Sequence, residues 1–347
     1  ITIFGESAGG MSVAMLIVSP LSNKSFAKGI MQSGPVFVMN RTMDRELKAG
    51  QTVAAAVGCA DPATAAACLR AIDAKELYKA ANVVRPGSLV TMEKGKGFSF
   101  SPVVDGYFLP DSPLKLLAEK KFPSSIKMIL GSNKDEGSIF VKDHKYDSSW
   151  DMKTTFRDDV DKITQMFGLD MYNEEMLKKY PESAFESPRF AYQEMVADMM
   201  FYCPNRLFAG YAAANGNDVY DYYFNILPIP EKAQKKLQGM DNIKTMINEL
   251  GVFHGAELPF IYNNFKLMGF DLSAPETGEA SKKVMSLWTS FAKTGVPTAD
   301  GVPTWPKFNS ADSPILYIGA PVMESKTNFK ADACPIVDKM MKDAYLK

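Results

Sequence analysis

Histidine is the scarcest residue in this chain: 347 residues contain only two, His144 and His254. Any chemistry that needs a base titrating near neutrality therefore has two candidates for it. Charge of one sign is also lacking. Lysine and arginine number 39 against 40 acidic residues, leaving a formal charge of −1 and a pI near 6.3. Such a balance offers no basic field for nucleic acid. No apolar run is long enough to cross a bilayer as a helix, and neither internal repeats nor low-complexity tracts occur. What is present is 46% apolar and 11% aromatic content, enough to bury a large core in one unit.

Against that background the first residues stand out. Gly5-Glu6-Ser7-Ala8-Gly9 reads G-x-S-x-G directly after the apolar run Ile1–Phe4 and before the helix-compatible stretch Met11–Val18. This is the pattern of a nucleophile elbow, a strained strand-to-helix turn that lifts a serine above a sheet. The amide of Ala8, at the start of the following helix, is placed to donate to a developing oxyanion. A serine nucleophile needs a base. His144 lies in the charge-mixed stretch 141–147, which reads as solvated surface, whereas His254 lies in Gly251-Val252-Phe253-His254-Gly255, a glycine-flanked turn between ordered segments. An orienting carboxylate should come between serine and histidine in the chain. The run Ile126–Leu130 leads into Gly131-Ser132-Asn133-Lys134-Asp135-Glu136-Gly137, and spacing does not choose between Asp135 and Glu136.

Phe4-Gly5-Glu6-Ser7-Ala8-Gly9-Gly10, Asn133-Lys134-Asp135-Glu136-Gly137-Ser138 and His254-Gly255-Ala256-Glu257 together resemble the type-B carboxylesterase and cholinesterase family. The similarity extends through Met31-Gln32-Ser33-Gly34, Pro102–Gly106, Trp288–Gly295 and Trp305-Pro306. It implies an α/β-hydrolase fold: a mostly parallel sheet flanked by helices, with helical cap insertions at 152–179 and 187–214 that shape a gorge. By the same resemblance Ser7 is the nucleophile, Glu136 the orienting acid and His254 the base. Glu6, Ser33 and Glu257 form a polar shell beside them, and Phe98 lines an acyl pocket. The chemistry implied is ester cleavage through an acyl-enzyme, with a small carboxylic ester as substrate and neither metal nor organic cofactor.

Cholinesterases often carry an aromatic two residues after the glycine that follows the acid. Here that position is Ile139, which favours a general ester hydrolase over a choline-selective one. Lipase-type specificity and an adhesion or structural role without catalysis are the alternatives within the family. The presence of all three triad residues argues against the latter.

The resemblance also implies disulfides Cys59–Cys68 and Cys203–Cys334, hence maturation in an oxidising compartment. Two sequons, at Asn23 and Asn40, agree with a secreted protein. In this family the elbow follows several strands and a Gly-rich oxyanion loop, and no glycine run here replaces that loop; Gly95 and Gly97 are isolated. The 347 residues thus read as the C-terminal part of one longer hydrolase domain. Alone, they are expected to expose the Ile1–Phe4 edge and either to aggregate or to have little activity.

Further strands are expected at 29–32, 127–131, 219–224 and 315–318, and helices at 51–69 and 112–120, with loops at 228–230 and 297–303.

Overall fold

The computed structural model describes residues 1–36, 41–84, 102–140, 156–267 and 270–346. Its central sheet has six strands: β1 (Thr2–Glu6), β2 (Lys28–Gln32), β3 (Lys127–Asn133), β4 (Val219–Asn225), β5 (Ile315–Gly319) and β6 (Met323–Lys326). Spatial order follows chain order. The first five strands run parallel, with Met31 level with Leu130 and Ile129 level with Tyr220, and β6 returns antiparallel along β5.

β3 and β4 are buried almost from end to end, as central strands covered on both faces must be. Because successive side chains point to opposite faces, the strands feed two cores. Met31, Met128, Leu130 and Tyr223 enter one; Ile30, Ile129, Tyr222 and Phe224 enter the other. The helices that matter here are α1 (Ala8–Val18), α2 (Pro113–Ala118), α3 (Pro188–Ala197), α4 (Cys203–Ala214), α5 (Pro275–Thr294) and α6 (Cys334–Tyr345). All but α5 pack into the first core; α5 closes the second with Val284, Leu287, Trp288 and Phe291. The start of α2 follows its sequence signal. Pro113 is its first residue, and Ser112 Oγ accepts from the Lys115 N–H.

The five strands expected from the sequence all form, with ends shifted by a residue or two. β6 was not anticipated, since Met-Glu-Ser-Lys is polar and buries only Met323. The helix expected over 51–69 is broken: Met43–Ala56 and Ala65–Ala71 are separate helices, divided at Gly58, whose φ of +78° cannot continue a helix. Cys59 and Cys68 are bonded across this break, and Cys203 bonds Cys334, tying α4 to α6. Both bonds agree with the pairing the family resemblance implied. The cap stretches are helical at Phe156–Phe167, Asn173–Lys179, α3 and α4, residues 152–155 lying outside the described residues. Between α3 and α4, Asp198–Tyr202 winds as a π-helix. α3 lies against the turn after β3, which brings the cap to the candidate site.

Among the described residues β1 pairs only with β2 and forms an edge of the sheet. Phe4 is 51% exposed there, beside an apolar cleft of about 240 Å³ lined by Ile30, Ile261, Met285 and Trp288. Asn23 is buried in a turn, which withdraws the amide that a glycan would need in solvent. Asn40 falls outside the described residues.

One buried acid makes the core pH-sensitive. Asp221 on β4 is enclosed, its Oδ2 lacks a hydrogen-bond partner among the described residues, and burial pushes its pKa up to about 8, against smaller opposing effects of the Tyr222 amide and Arg206. A folded-state pKa raised above the unfolded one favours folding fully below about 4, and that contribution is lost as pH rises towards 8. Asp221→Asn should therefore flatten the decline in stability between pH 4 and 8 by about one proton's worth, on the order of a few kcal/mol. Urea unfolding of both proteins at pH 5 and pH 9 checks this; an unchanged difference between the two pH values would contradict it.

Candidate active site

β1 ends at Glu6 and α1 begins at Ala8, leaving Ser7 alone at the corner with φ 56° and ψ −118°. A non-glycine residue tolerates this region only when its surroundings impose it. They do so from both sides: the Ser7 N–H donates to the Gln32 carbonyl at 2.9 Å, and the Ser7 carbonyl accepts from the Met11 N–H at 2.9 Å. The first glycine of the motif permits the crossing, because a Cβ on Gly5 would stand 2.5 Å from the Gly9 carbonyl carbon. The same test at Gly9 meets nothing, so the steric demand falls on Gly5. The Ala8 N–H is the first of α1 and has no acceptor within the helix, at its positive end.

The carboxylate comes from the end of β3. Glu136 opens the 3₁₀ turn Glu136–Phe140 and is fully buried. Its Oε1 accepts from the Ser33 hydroxyl and from the Asn133 N–H at 2.6 Å, and its Oε2 lies 2.5 Å from His254 Nδ1. Asp135 touches neither serine nor imidazole. It binds the histidine loop instead: its N–H donates to the Val252 carbonyl at 3.0 Å, and its Oδ2 accepts from the Val252 N–H at 2.8 Å. The two adjacent acids, which spacing could not separate, thus have different work. Glu136 holds the imidazole, and Asp135 holds the backbone that carries it.

His254 has a side chain 8% exposed and lies between Phe201 and Phe140, with ring centroids at 4.8 and 5.4 Å. Burial alone would lower its pKa, but the charges of Glu136, Glu6 and Glu257 and the hydrogen bond to Glu136 together lift it above the ordinary value. Its Nε2 has no hydrogen-bond partner among the described residues, Ser7 included. The nearest carboxylate to it is Glu6 Oε1, at 3.2 Å. Burial raises the pKa of Glu6 to about 7, His254 opposing and Glu257 and Glu136 adding to the rise. The structure therefore couples Glu136 to His254 through Nδ1 and leaves Nε2 facing the elbow without a bond to Ser7.

The expected polar shell is spread around this pair rather than bonded within itself. Ser33, also at positive φ, sits on Glu136; Glu6 faces Nε2; Glu257 is buried below. Glu257 accepts from Gln32 Nε2 at 2.9 Å and Asn133 Nδ2 at 2.5 Å, and Gln32 Oε1 accepts from Trp288 Nε1 at 3.1 Å. Burial, reinforced by Glu136, raises the Glu257 pKa. Gln32, Asn133 and Trp288 were not singled out as site residues from the sequence, nor were Phe140 and Phe201. Gln32 and Asn133 had a readable signal: each is a polar residue ending an apolar strand, at the carboxyl edge where sites gather in such sheets. Phe98 and His144 lie outside the described residues. Among the described residues no group of three or more His, Cys, Asp and Glu is arranged to hold a metal ion, and no helix is long and apolar enough to cross a membrane.

A mostly parallel sheet between helices, a strained serine between strand and helix, and a buried carboxylate–imidazole pair at the same edge are the marks of the α/β-hydrolase class. The profile of the Carboxylesterase family matches residues 1–337, and the chain belongs to that family. It is 28% identical to carboxylesterase 5A of Canis lupus familiaris over 98% of this chain and 57% of that protein. Identity is 29% to acetylcholinesterase of Leptinotarsa decemlineata, over 92% of this chain and 49% of that protein. It reaches 31% to the cocaine esterase of Homo sapiens, over 90% of this chain and 53% of that protein. The chain spans about half the length of the curated relatives it matches.

Proposed function

We propose that the protein is a carboxylic ester hydrolase working through an acyl-enzyme on Ser7, with His254 as base and Glu136 as orienting acid. The observation that carries this reading is the pairing of Glu136 with His254 Nδ1, which leaves Nε2 as the free nitrogen, 3.2 Å from Glu6, the residue that precedes the strained Ser7. Neutral His254 takes the Ser7 Oγ proton on Nε2 as Oγ bonds to the ester carbonyl carbon. The Ala8 N–H donates to the resulting oxyanion. Collapse breaks the bond to the alkoxy oxygen, which leaves with the Nε2 proton; water then repeats the sequence on acyl-Ser7 and releases the acid. The imidazole must be neutral to begin, so activity rises with pH through its raised pKa.

Ile139 presents no aromatic face to a quaternary ammonium, which supports a general ester substrate over choline esters. The two disulfides support maturation in an oxidising, secretory or extracellular setting.

Intact mass after exposure to a fluorophosphonate tests the proposal. One adduct per chain, mapping to Ser7 and absent in Ser7→Ala and His254→Ala, is the expected outcome. A folded protein that forms no adduct would favour a non-catalytic member of the family.

A further inference from the structure

An ion network centred on the buried Asp198 lies in the same helical turn as Phe201, whose ring packs on the imidazole. Lys330 has a side chain 14% exposed, and its Nζ bonds Asp198 Oδ1 at 2.5 Å and Glu194 Oε1 at 2.7 Å. The Tyr180 hydroxyl donates to the other Asp198 oxygen at 2.9 Å. Asp198 is buried, its carboxylate both desolvated and repelled by the charge of the partly exposed Glu194, and Lys330 is the cation that bonds both. Lys330 reaches them from a backbone at φ +50°, a conformation unfavourable for lysine. Four residues later the chain is tied to the same helical segment by Cys334–Cys203. The Tyr202 hydroxyl also donates to the Phe329 carbonyl at 2.9 Å. The stretch 329–334 therefore grips 194–203 at four points: Glu194, Asp198, Tyr202 and Cys203.

What it grips bears on His254 from two directions. Asp198 opens the π-helical turn whose fourth residue is Phe201, the ring packed on the imidazole. A π-helix is a rarely used local form, and its register requires outside support. Glu194 follows Gln193, whose backbone abuts Gly137 in the turn that carries Glu136. We propose that Lys330 is a positioning residue for His254, holding the Asp198–Tyr202 turn so that Phe201 presses the imidazole into register with Glu136. Lys330 touches neither the serine nor the imidazole. The inference rests on the reading of His254 as the base, and its test includes a measurement independent of turnover.

With only two histidines, the imidazole resonances of ¹⁵N-histidine-labelled full chain can be assigned by His254→Gln and titrated. In Lys330→Met the His254 resonances should shift, through lost ring currents and a looser bond to Glu136. Its pKa should fall towards the ordinary value of about 6.5. Phe201→Leu, which leaves the ion network intact, should reproduce the change, and Lys330→Arg should restore wild-type resonances. Fluorophosphonate labelling of Ser7 in Lys330→Met should slow about 10- to 100-fold in its limiting rate, with little change in apparent affinity. If Lys330→Met does not fold, Glu194→Gln removes one arm of the network and should shift the same resonances in the same direction.

Unchanged His254 resonances in a folded Lys330→Met or Glu194→Gln, with only a lowered melting temperature, would reduce Lys330 to a structural role and overturn the proposal. Resonance shifts in Lys330→Met together with a wild-type protein that never labels at Ser7 would instead overturn the ester-hydrolase reading and leave the positioning contact standing.

Discussion

Glu136→Gln should lower the rate of Ser7 acylation by about 10³- to 10⁴-fold, the size of effect seen when a serine triad's carboxylate becomes an amide. The reason lies in the count of donors around it. Glu136 accepts from the Ser33 hydroxyl, the Asn133 N–H and His254 Nδ1, so every contact it makes requires an acceptor. A glutamine has one acceptor oxygen. If its NH₂ faces the imidazole, Nδ1 must become the acceptor and the proton moves to Nε2, which then cannot take the serine proton. If its NH₂ faces the other way, it meets two donors and leaves the buried Asn133 N–H without an acceptor, costing about 1–3 kcal/mol of stability. Fluorophosphonate labelling kinetics together with thermal unfolding separate the two cases. Labelling within tenfold of wild type would remove Glu136 from the mechanism.

Gly137→Ala should also be damaging, although it removes no polar group. A Cβ on Gly137 would lie 2.7 Å from the Gln193 carbonyl carbon and closer still to its oxygen. That oxygen belongs to the backbone of α3, which cannot swing aside as a side chain would. Either the turn carrying Glu136 or the helix must move. A displacement of about 1 Å at the acid is enough to cost roughly 100-fold in rate, and overpacking a buried contact of this kind costs about 1–3 kcal/mol. Gly278→Ala is the control, since its Cβ meets nothing within 4 Å in the first turn of α5. The same methyl there should be neutral or slightly stabilising. Equal activity in the two variants would mean that α3 and the acid turn are not held against each other.

Much of this site was legible before any coordinates. Local chemistry placed the strand, the strained serine and the helix that follows, because the G-x-S-x-G pattern and its apolar flanks are contiguous in the chain, although one of the two bonds that hold Ser7 comes from Gln32 on the next strand. Scarcity picked out His254, there being only one other imidazole to weigh. The parallel strands were readable because burial on both faces leaves near-continuous apolar runs such as Met128–Leu130. β6 escaped because its pairing with β5, rather than its own polar residues, makes it a strand. The break at Gly58 was missed because an alanine-rich composition outweighed one left-handed residue.

The sequence by itself determined the candidates for a triad: one elbow serine, one of two imidazoles, and a carboxylate within the Asp135-Glu136 pair, narrowed to Glu136 by family motif. Only the tertiary structure decided how the neighbours divide the work. Asp135 ties the histidine loop, Ser33 and Asn133 fill the acceptors of Glu136, and Glu6 rather than Ser7 lies nearest to Nε2. Phe140 and Phe201 enclose the imidazole, and Lys330 supports one of them from 76 residues beyond His254. Short-range sterics and periodicity are written along the chain. Contacts between residues more than a hundred positions apart depend on how the two cores pack, and no local pattern carries that information.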